Sequence, residues 1–413
     1  MRAGLAALVT VLTLADIEAA RERLAGAVYE TPCAYSQTLS DLTRTHCFVK
    51  LENLQMTGSF KERGAANLLL QLSAAERAQG VVTASAGNHG LAVAFHGARL
   101  GIPVTIVMPE GAPLIKLTSA RRHGAEVILH GANFDEAYAR AREITDGGGG
   151  VFVHPFNDLR VIAGQATLGL ELAEQQPDLD AVLVAVGGGG LAAGVALGVK
   201  ARRPSARVIG VESAALPAMV RALEAGQPVR LPAAPTIADG IAVRQVGDLT
   251  LDLVRKHVDD VVTVTEEELA NAILLLLEIE KTVVEGAGAA PLAALVNRPL
   301  GLAGARVVLV LSGGNIDVTM LSRIIERGLV KDGRLVRVGV VLHDRPGALS
   351  RLTALIAEDR ANILQIDHHR AFSSTAIGDT EVELTLETSG REQIDRLLTR
   401  LVSAGYRVEE RPR

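Results

Sequence analysis

The stretch Thr57-Gly58-Ser59-Phe60-Lys61-Glu62-Arg63-Gly64-Ala65 sets a single lysine, Lys61, at the junction of a turn and a helix. Thr57 and Ser59 can cap that helix, Gly58 loosens the turn, and the apolar-rich run from Ala65 to Leu72 packs inward. A lysine short of water at the positive end of a helix dipole has a lowered pKa and a neutral, nucleophilic amine, which suits Schiff-base chemistry. Farther on, Ser85-Ala86-Gly87-Asn88-His89-Gly90 follows an apolar strand and precedes a helix from Leu91 to Leu100. Its small residues let backbone N–H groups converge on a carboxylate, and Asn88 adds a side-chain donor.

Two glycine quartets differ in their setting. Gly147 to Gly150 leads into a strand at Val151 and reads as a flexible connection. Gly187-Gly188-Gly189-Gly190 follows the strand Ala181 to Val186 and opens a helix at Leu191, so its amides can wrap a phosphate. The same segment, Gly188-x-Gly190-x-x-Ala193 with Glu212 beyond it at a strand end, also fits a dinucleotide fingerprint, so a hydride-transfer enzyme with a nicotinamide cofactor is an alternative. That alternative leaves Lys61 and Asn88 without a role. Ser312-Gly313-Gly314-Asn315 is another loop at a strand end, with smaller signals at Asp239-Gly240 and Glu285-Gly286-Ala287-Gly288-Ala289.

These loops need rigid elements to hold them. Short apolar strands alternate with Ala/Leu-rich helices from about residue 28 to residue 312, the pattern of an α/β fold with open, mainly parallel sheets covered on both faces, long enough for two lobes. A length of 413 residues calls for two or three domains. The near-neutral net charge of -5 gives no excess positive charge for nucleic acid, and 3% aromatic content argues against base stacking. Cys33 and Cys47 are too few for a disulfide framework or a four-ligand metal site, which fits a reducing, cytoplasmic setting. The apolar run from Arg2 to Ala15 is short for a membrane span and passes into a capping-box-like start at Thr13 and Asp16, so it reads as an extra stretch ahead of a cytosolic domain, with no membrane partner.

Side by side, these motifs resemble the pyridoxal-phosphate enzymes of the tryptophan-synthase β fold type, most closely the threonine dehydratase (threonine ammonia-lyase) family. The matching positions include Ser59-Phe60-Lys61-x-Arg63-Gly64-Ala65, Ser85-x-Gly87-Asn88-His89, His154-Pro155-Phe156-Asn157-Asp158, Ile162-Ala163-Gly164-Gln165, Gly187 to Leu191, Asp239-Gly240, Glu285-x-Ala287-Gly288-Ala289 and Ser312-Gly313-Gly314-Asn315. The resemblance implies pyridoxal 5'-phosphate held as a Schiff base by Lys61, its phosphate by Gly187, Gly188, Gly189, Gly190 and Leu191, its ring hydroxyl by Asn88 and its pyridine nitrogen by Ser312, with Gly240 and Glu285 also in the cofactor site. Ser85, Ala86, Gly87, Asn88 and His89 would hold the substrate carboxylate, and Phe156 would lie beside a substrate methyl. The implied reaction is loss of water and ammonia from L-threonine, and less readily L-serine, giving 2-oxobutanoate or pyruvate. Related serine racemases carry a serine where this chain has Ala86, which disfavours racemisation, and Leu216 and Ala218 supply no carboxylate beside Glu212, so no divalent metal is expected there. A serine or hydroxyaspartate dehydratase, a racemase on the same fold, and a catalytically silent amino-acid-binding regulator are the alternatives.

Beyond Lys331-Asp-Gly-Arg a βαββαβ pattern begins, a ferredoxin-like unit expected as a separate domain over residues 332–413, after a catalytic domain over 1–331. Asp344-Arg345-Pro346-Gly347-Ala348-Leu349 resembles the signature loop of ACT regulatory domains, which implies an amino-acid effector near Asp344, Pro346, Gly347 and Leu349, and a homodimer or homotetramer.

Overall fold

The computed structural model describes residues 12–112, 114–369 and 376–411, so the reading of the first 11 residues lies outside what is described. Thr13 and Asp16 do form a reciprocal capping box at the start of the helix Leu14–Leu24. The strands in chain order are β1 (Cys33–Tyr35), β2 (His46–Lys50), β3 (Val81–Ala84), β4 (Val104–Met108), β5 (Glu126–Leu129), β6 (Val151–Phe152), β7 (Ala181–Ala185), β8 (Arg207–Ser213), β9 (Asp260–Val264), β10 (Arg306–Val310), β11 (Leu335–His343), β12 (Asn362–His369), β13 (Asp379–Glu387) and β14 (Arg407–Glu410).

The chain folds as two compact units that divide between Ile316 and Asp317. The first holds two sheets. One has the order β5-β4-β3-β6 and is parallel throughout; the other has the order β1-β2-β10-β7-β8-β9 and is parallel except for the β1–β2 pair. The central strands β7 and β10 are almost wholly apolar because helices cover both faces. Val182, Val184, Val208, Val308 and Val310 pack with Leu168, Leu172 and Val195 of the helices Leu159–Gln175 and Gly190–Arg202 into the core of the larger lobe. Val81, Val104, Ile106 and Met108 pack with Leu68, Leu69 and Val93 in the smaller lobe.

The second unit is an antiparallel sheet, order β12-β13-β11-β14, with helices Ala348–Glu358 and Arg391–Ser403, the ferredoxin-like arrangement. The division by contacts falls ahead of the expected boundary at residue 332. The helix Val318–Lys331 packs on β11, and a short turn joins it directly to that strand.

Candidate active site

Lys61 opens the helix Lys61–Leu70, and the residues before it are held by the loop that follows β10. Phe60 N donates to Ser312 O at 3.0 Å, Gly314 N donates to Gly58 O at 2.9 Å, and Ser59 forms an antiparallel bridge with Gly313. This pairing explains a departure from expectation: Thr57 and Ser59 do not cap the helix. Its N-cap is Phe60, without a side-chain cap bond, while the Glu62 carboxylate reaches back to accept from Thr57 N. The buried hydroxyls of Thr57 and Ser59 have no hydrogen-bond partner among the described residues.

Behind Lys61 the helix is buried on every side from Glu62 to Leu69. A Cβ on Gly164 would stand 2.4 Å from the Arg63 carbonyl oxygen, and one on Gly64 would meet the Gln165 amide at 2.4 Å. The two glycines therefore let this helix and Leu159–Gln175 touch backbone to backbone. Lys61 Nζ donates to Pro155 O at 2.9 Å. Burial lowers its pKa to about 8, and the Glu285 carboxylate pulls in the opposite direction.

The quartet Gly187–Gly190 lies at the head of the helix Gly190–Arg202, with Gly189 in the left-handed region at φ 89°. The intrahelical ladder starts where Ala193 N donates to Gly189 O, so the amides of Gly190, Leu191 and Ala192 point out of the helix start. A Cβ on Gly188 would stand 2.3 Å from the Phe156 ring, and one on Gly190 2.9 Å from Phe156 Cβ. The Phe156 ring thus lies against the glycine loop, a neighbour that sequence reasoning did not anticipate when it set this ring beside a substrate methyl.

At the head of the helix Asn88–Leu100, Leu91 N donates to Gly87 O, which leaves the Asn88, His89 and Gly90 amides outside the ladder. Ser85 Oγ accepts from Gly87 N at 3.2 Å and fixes the turn, while Ala86 packs against the smaller lobe's core. Asn88 Nδ2 donates to Glu285 Oε1 at 2.8 Å. The His89 side chain is turned away: it is buried, with Nε2 donating to Val153 O at 3.0 Å, and burial together with the nearby Lys61 charge drives its pKa down to about 3. His89 is thus a neutral imidazole whose Nε2–H is already spent inside the protein.

Glu285 is buried where a Cβ on Gly240 would approach its Oε1 to 3.0 Å and one on Gly313 to 2.6 Å. Burial, reinforced by Asp239, raises its pKa to about 7. Lys61, the two helix starts, Glu285 and the buried Ser312 all belong to loops at strand ends or to helix starts, where an open α/β sheet presents ligands. A site with a low-pKa amine, outward-pointing amides at a helix start and tightly packed glycines suits an aldehyde cofactor that carries a phosphate.

Glu212 is committed elsewhere. Its carboxylate accepts from Met219 N at 2.8 Å and Val220 N at 3.0 Å, and burial raises its pKa to about 7. Those bonds at the start of the helix Ala218–Ala225 occupy the acceptor that a dinucleotide ribose would need. The matching motifs included Pro155, Asn315 and His154 without a role for any of them: Pro155 O accepts from Lys61 Nζ, Asn315 Nδ2 donates to Asn88 Oδ1, and His154 Nδ1 accepts from the Phe156 and Asn157 amides. The His-Pro-Phe-Asn run was the available signal for two of these.

In the second unit, Gly347 takes φ 84° as the N-cap of Ala348–Glu358, and Leu342, Asp344, Gly347, Leu349, His368 and Thr380 line a cavity of about 360 Å³. Among the described residues no helix is long and apolar enough to cross a membrane.

The chain matches the family described as "Pyridoxal-phosphate dependent enzyme" over residues 24–313. It is 50% identical over 398 residues to the L-threonine ammonia-lyase of Thermotoga maritima, a match covering 96% of this chain and 99% of that protein. It is 43% identical over 311 residues to the catabolic L-threonine dehydratase of Escherichia coli K12, covering 75% of this chain and 94% of that one. Among solved structures, the processed form of threonine deaminase isoform 2 from Solanum lycopersicum superposes with a TM-score of 0.73 at 37% identity, covering 76% of this chain and 86% of that chain. The chain, with its half-buried, low-pKa lysine and its open-amide glycine loop, belongs to the pyridoxal-phosphate-dependent enzymes, in the family that includes the threonine ammonia-lyases.

Proposed function

We propose that this protein deaminates L-threonine, and less readily L-serine, to 2-oxobutanoate or pyruvate and ammonia. The observation that carries the reading is the full-length likeness to a threonine ammonia-lyase, set on a site whose lysine is depressed to about 8. What the cofactor supplies when bound is a conjugated ring that draws off the electron pair freed at the substrate's Cα. Lys61 would hold it covalently and, once displaced by the substrate amine, its Nζ would take the Cα proton. Gly187 to Leu191 would hold the phosphate, Asn88 the ring hydroxyl and Ser312 the ring nitrogen. A neutral hydroxyl at that nitrogen does not enforce its protonation, which favours departure of the β-hydroxyl over transamination.

The open amides of Asn88, His89 and Gly90 would orient the substrate carboxylate, leaving Lys61 to work on one face of Cα. Phe156 would give the pocket apolar area, but one methyl distinguishes substrates by only about 1–3 kcal/mol, so serine is expected to turn over too. For the second unit, taken as residues 332–413, the loop at Asp344, Pro346, Gly347 and Leu349 is proposed as an amino-acid effector site, and the protein as a cytoplasmic homodimer or homotetramer.

The test is 2-oxo acid release from L-threonine, L-serine and D-threonine by the protein supplied with pyridoxal phosphate. The expected result is fastest release from L-threonine, abolished in Lys61→Ala. Release from none of the three would overturn the assignment, and loss of enantiomeric purity without oxo acid would point to a racemase.

A further inference from the structure

Both ends of the Asn88 side-chain amide are bonded within the protein. Asn315 Nδ2 donates to Thr57 O at 2.7 Å and to Asn88 Oδ1 at 2.8 Å, while Asn88 Nδ2 donates to Glu285 Oε1 at 2.8 Å. The chain has a direction. A backbone carbonyl can only accept, so Thr57 O fixes which end of Asn315 is the donor; Asn315 then fixes the carbonyl end of Asn88, and Glu285 receives the other. One N–H of Asn88 is spent on Glu285 and one is left. The Glu285 carboxylate lies close against the backbones of Gly240 and Gly313, where an added Cβ would come within 3.0 Å and 2.6 Å of Oε1. Four loops meet here: Thr57 ahead of Lys61, Asn88 at the smaller lobe's helix start, Glu285 ahead of the helix Gly286–Asn297, and Asn315 after β10.

We propose that Glu285 is a positioning residue that acts through Asn88: with Asn315 it sets the amide so that a remaining N–H, and not the carbonyl, faces the cofactor's ring hydroxyl. The proposal rests on the reading of this site as the pyridoxal-phosphate site. A donor at that oxygen favours its charged form and so keeps the shared proton on the lysine nitrogen. An inverted amide would favour the opposite arrangement, which absorbs at shorter wavelength.

The test needs no turnover. Apoprotein is titrated with pyridoxal phosphate, and the dissociation constant and absorption spectrum are read for the wild type, Glu285→Gln, Glu285→Ala and Asn315→Asp, with folding checked by circular dichroism. Wild type should bind with a dominant long-wavelength band; failure to bind would overturn the underlying site reading and the proposal with it. Glu285→Ala should bind about tenfold more weakly and shift toward the short-wavelength band, and Glu285→Gln, which keeps an acceptor for Asn88, should keep the wild-type band ratio. Asn315→Asp, which removes the donor, should show the same band shift as Glu285→Ala by an independent route. Weaker binding with an unchanged band ratio in both Glu285→Ala and Asn315→Asp would mark a merely structural role and overturn the proposal, as would spectra and affinities like the wild type's.

Discussion

Arg63 and Glu171 are joined by two hydrogen bonds, Nη1 to Oε1 at 2.5 Å and Nη2 to Oε2 at 2.8 Å, with the guanidinium fully buried. Arg63 also reaches Glu52 through Nε and Nη2, both at 2.7 Å, and Lys50 Nζ reaches Glu171 at 2.7 Å. Two cations and two anions thus share a dry space two residues along the helix from Lys61. Replacing Arg63 leaves both carboxylates buried with a single lysine between them. Arg63→Met is expected to destabilise the protein by about 3–5 kcal/mol, the cost of breaking a buried pair from one side. Denaturant midpoints of the apoprotein would measure it, and a loss within error of zero would contradict the pairing.

That cluster also shows where sequence reading stopped. Lys50, Glu52 and Arg63 were visible as residues, but their meeting with Glu171 depends on the crossing of two helices at Gly64 and Gly164, which no local pattern announces. The strands β2, β3, β4, β5, β7, β8 and β10 were legible because strands of a covered parallel sheet are short, nearly continuous apolar runs. By contrast β9, Asp260–Val264, sits at the sheet edge with an acidic first residue, and β1 has only three residues, so both escaped. The glycine loops were legible as backbone chemistry. The capping reading of Thr57 and Ser59 failed because long-range pairing with Ser312 and Gly313 outweighed a local preference.

Acid stability should follow opposed buried groups. His89 and His154 have folded pKa values lowered from 6.5 to about 3 and about 4, chiefly by burial and then by the Lys61 charge. Between those values and about 6.5 the unfolded chain binds more protons, so their contribution is complete above about 6.5 and lost as pH falls. Glu212 and Glu285 are raised from 4.5 to about 7, so theirs is complete below about 4.5 and lost as pH rises. The two pairs oppose each other between about pH 4.5 and 6.5, and the steep loss for the apoprotein is expected only below about 4.5. Glu212→Gln removes one opposing group, and its stability should already decline below about 6.5. Melting temperature against pH for both proteins is the check; identical profiles would refute the balance.

Cofactor capture should report the Lys61 amine directly. With a pKa near 8 in the apoprotein, the rate of Schiff-base formation should rise about tenfold per pH unit up to roughly 8 and then level off, instead of climbing toward 10.5. Removing the Glu285 charge takes away the influence that raises this pKa, so Glu285→Gln should shift the bend to lower pH. Stopped-flow absorbance after mixing with pyridoxal phosphate follows both. A bend that stays above pH 10 would mean that Lys61 is solvated.

Gly188 and Phe156 should behave as one unit. A Cβ on Gly188 would come within 2.3 Å of Cγ and Cδ1 of the ring, yet Gly188 is outside the left-handed region that resists alanine. Gly188→Ala therefore acts through crowding alone, and forcing the ring aside should cost about 1–3 kcal/mol and loosen the cofactor. If the collision is the cause, Phe156→Leu in the same chain should recover part of both losses, although Phe156→Leu alone should weaken packing. The double-mutant cycle, read in melting temperature and in cofactor retained after gel filtration, should thus be non-additive, as expected for residues in contact. Additive losses would mean that the alanine disturbs the loop amides themselves and not the ring behind them.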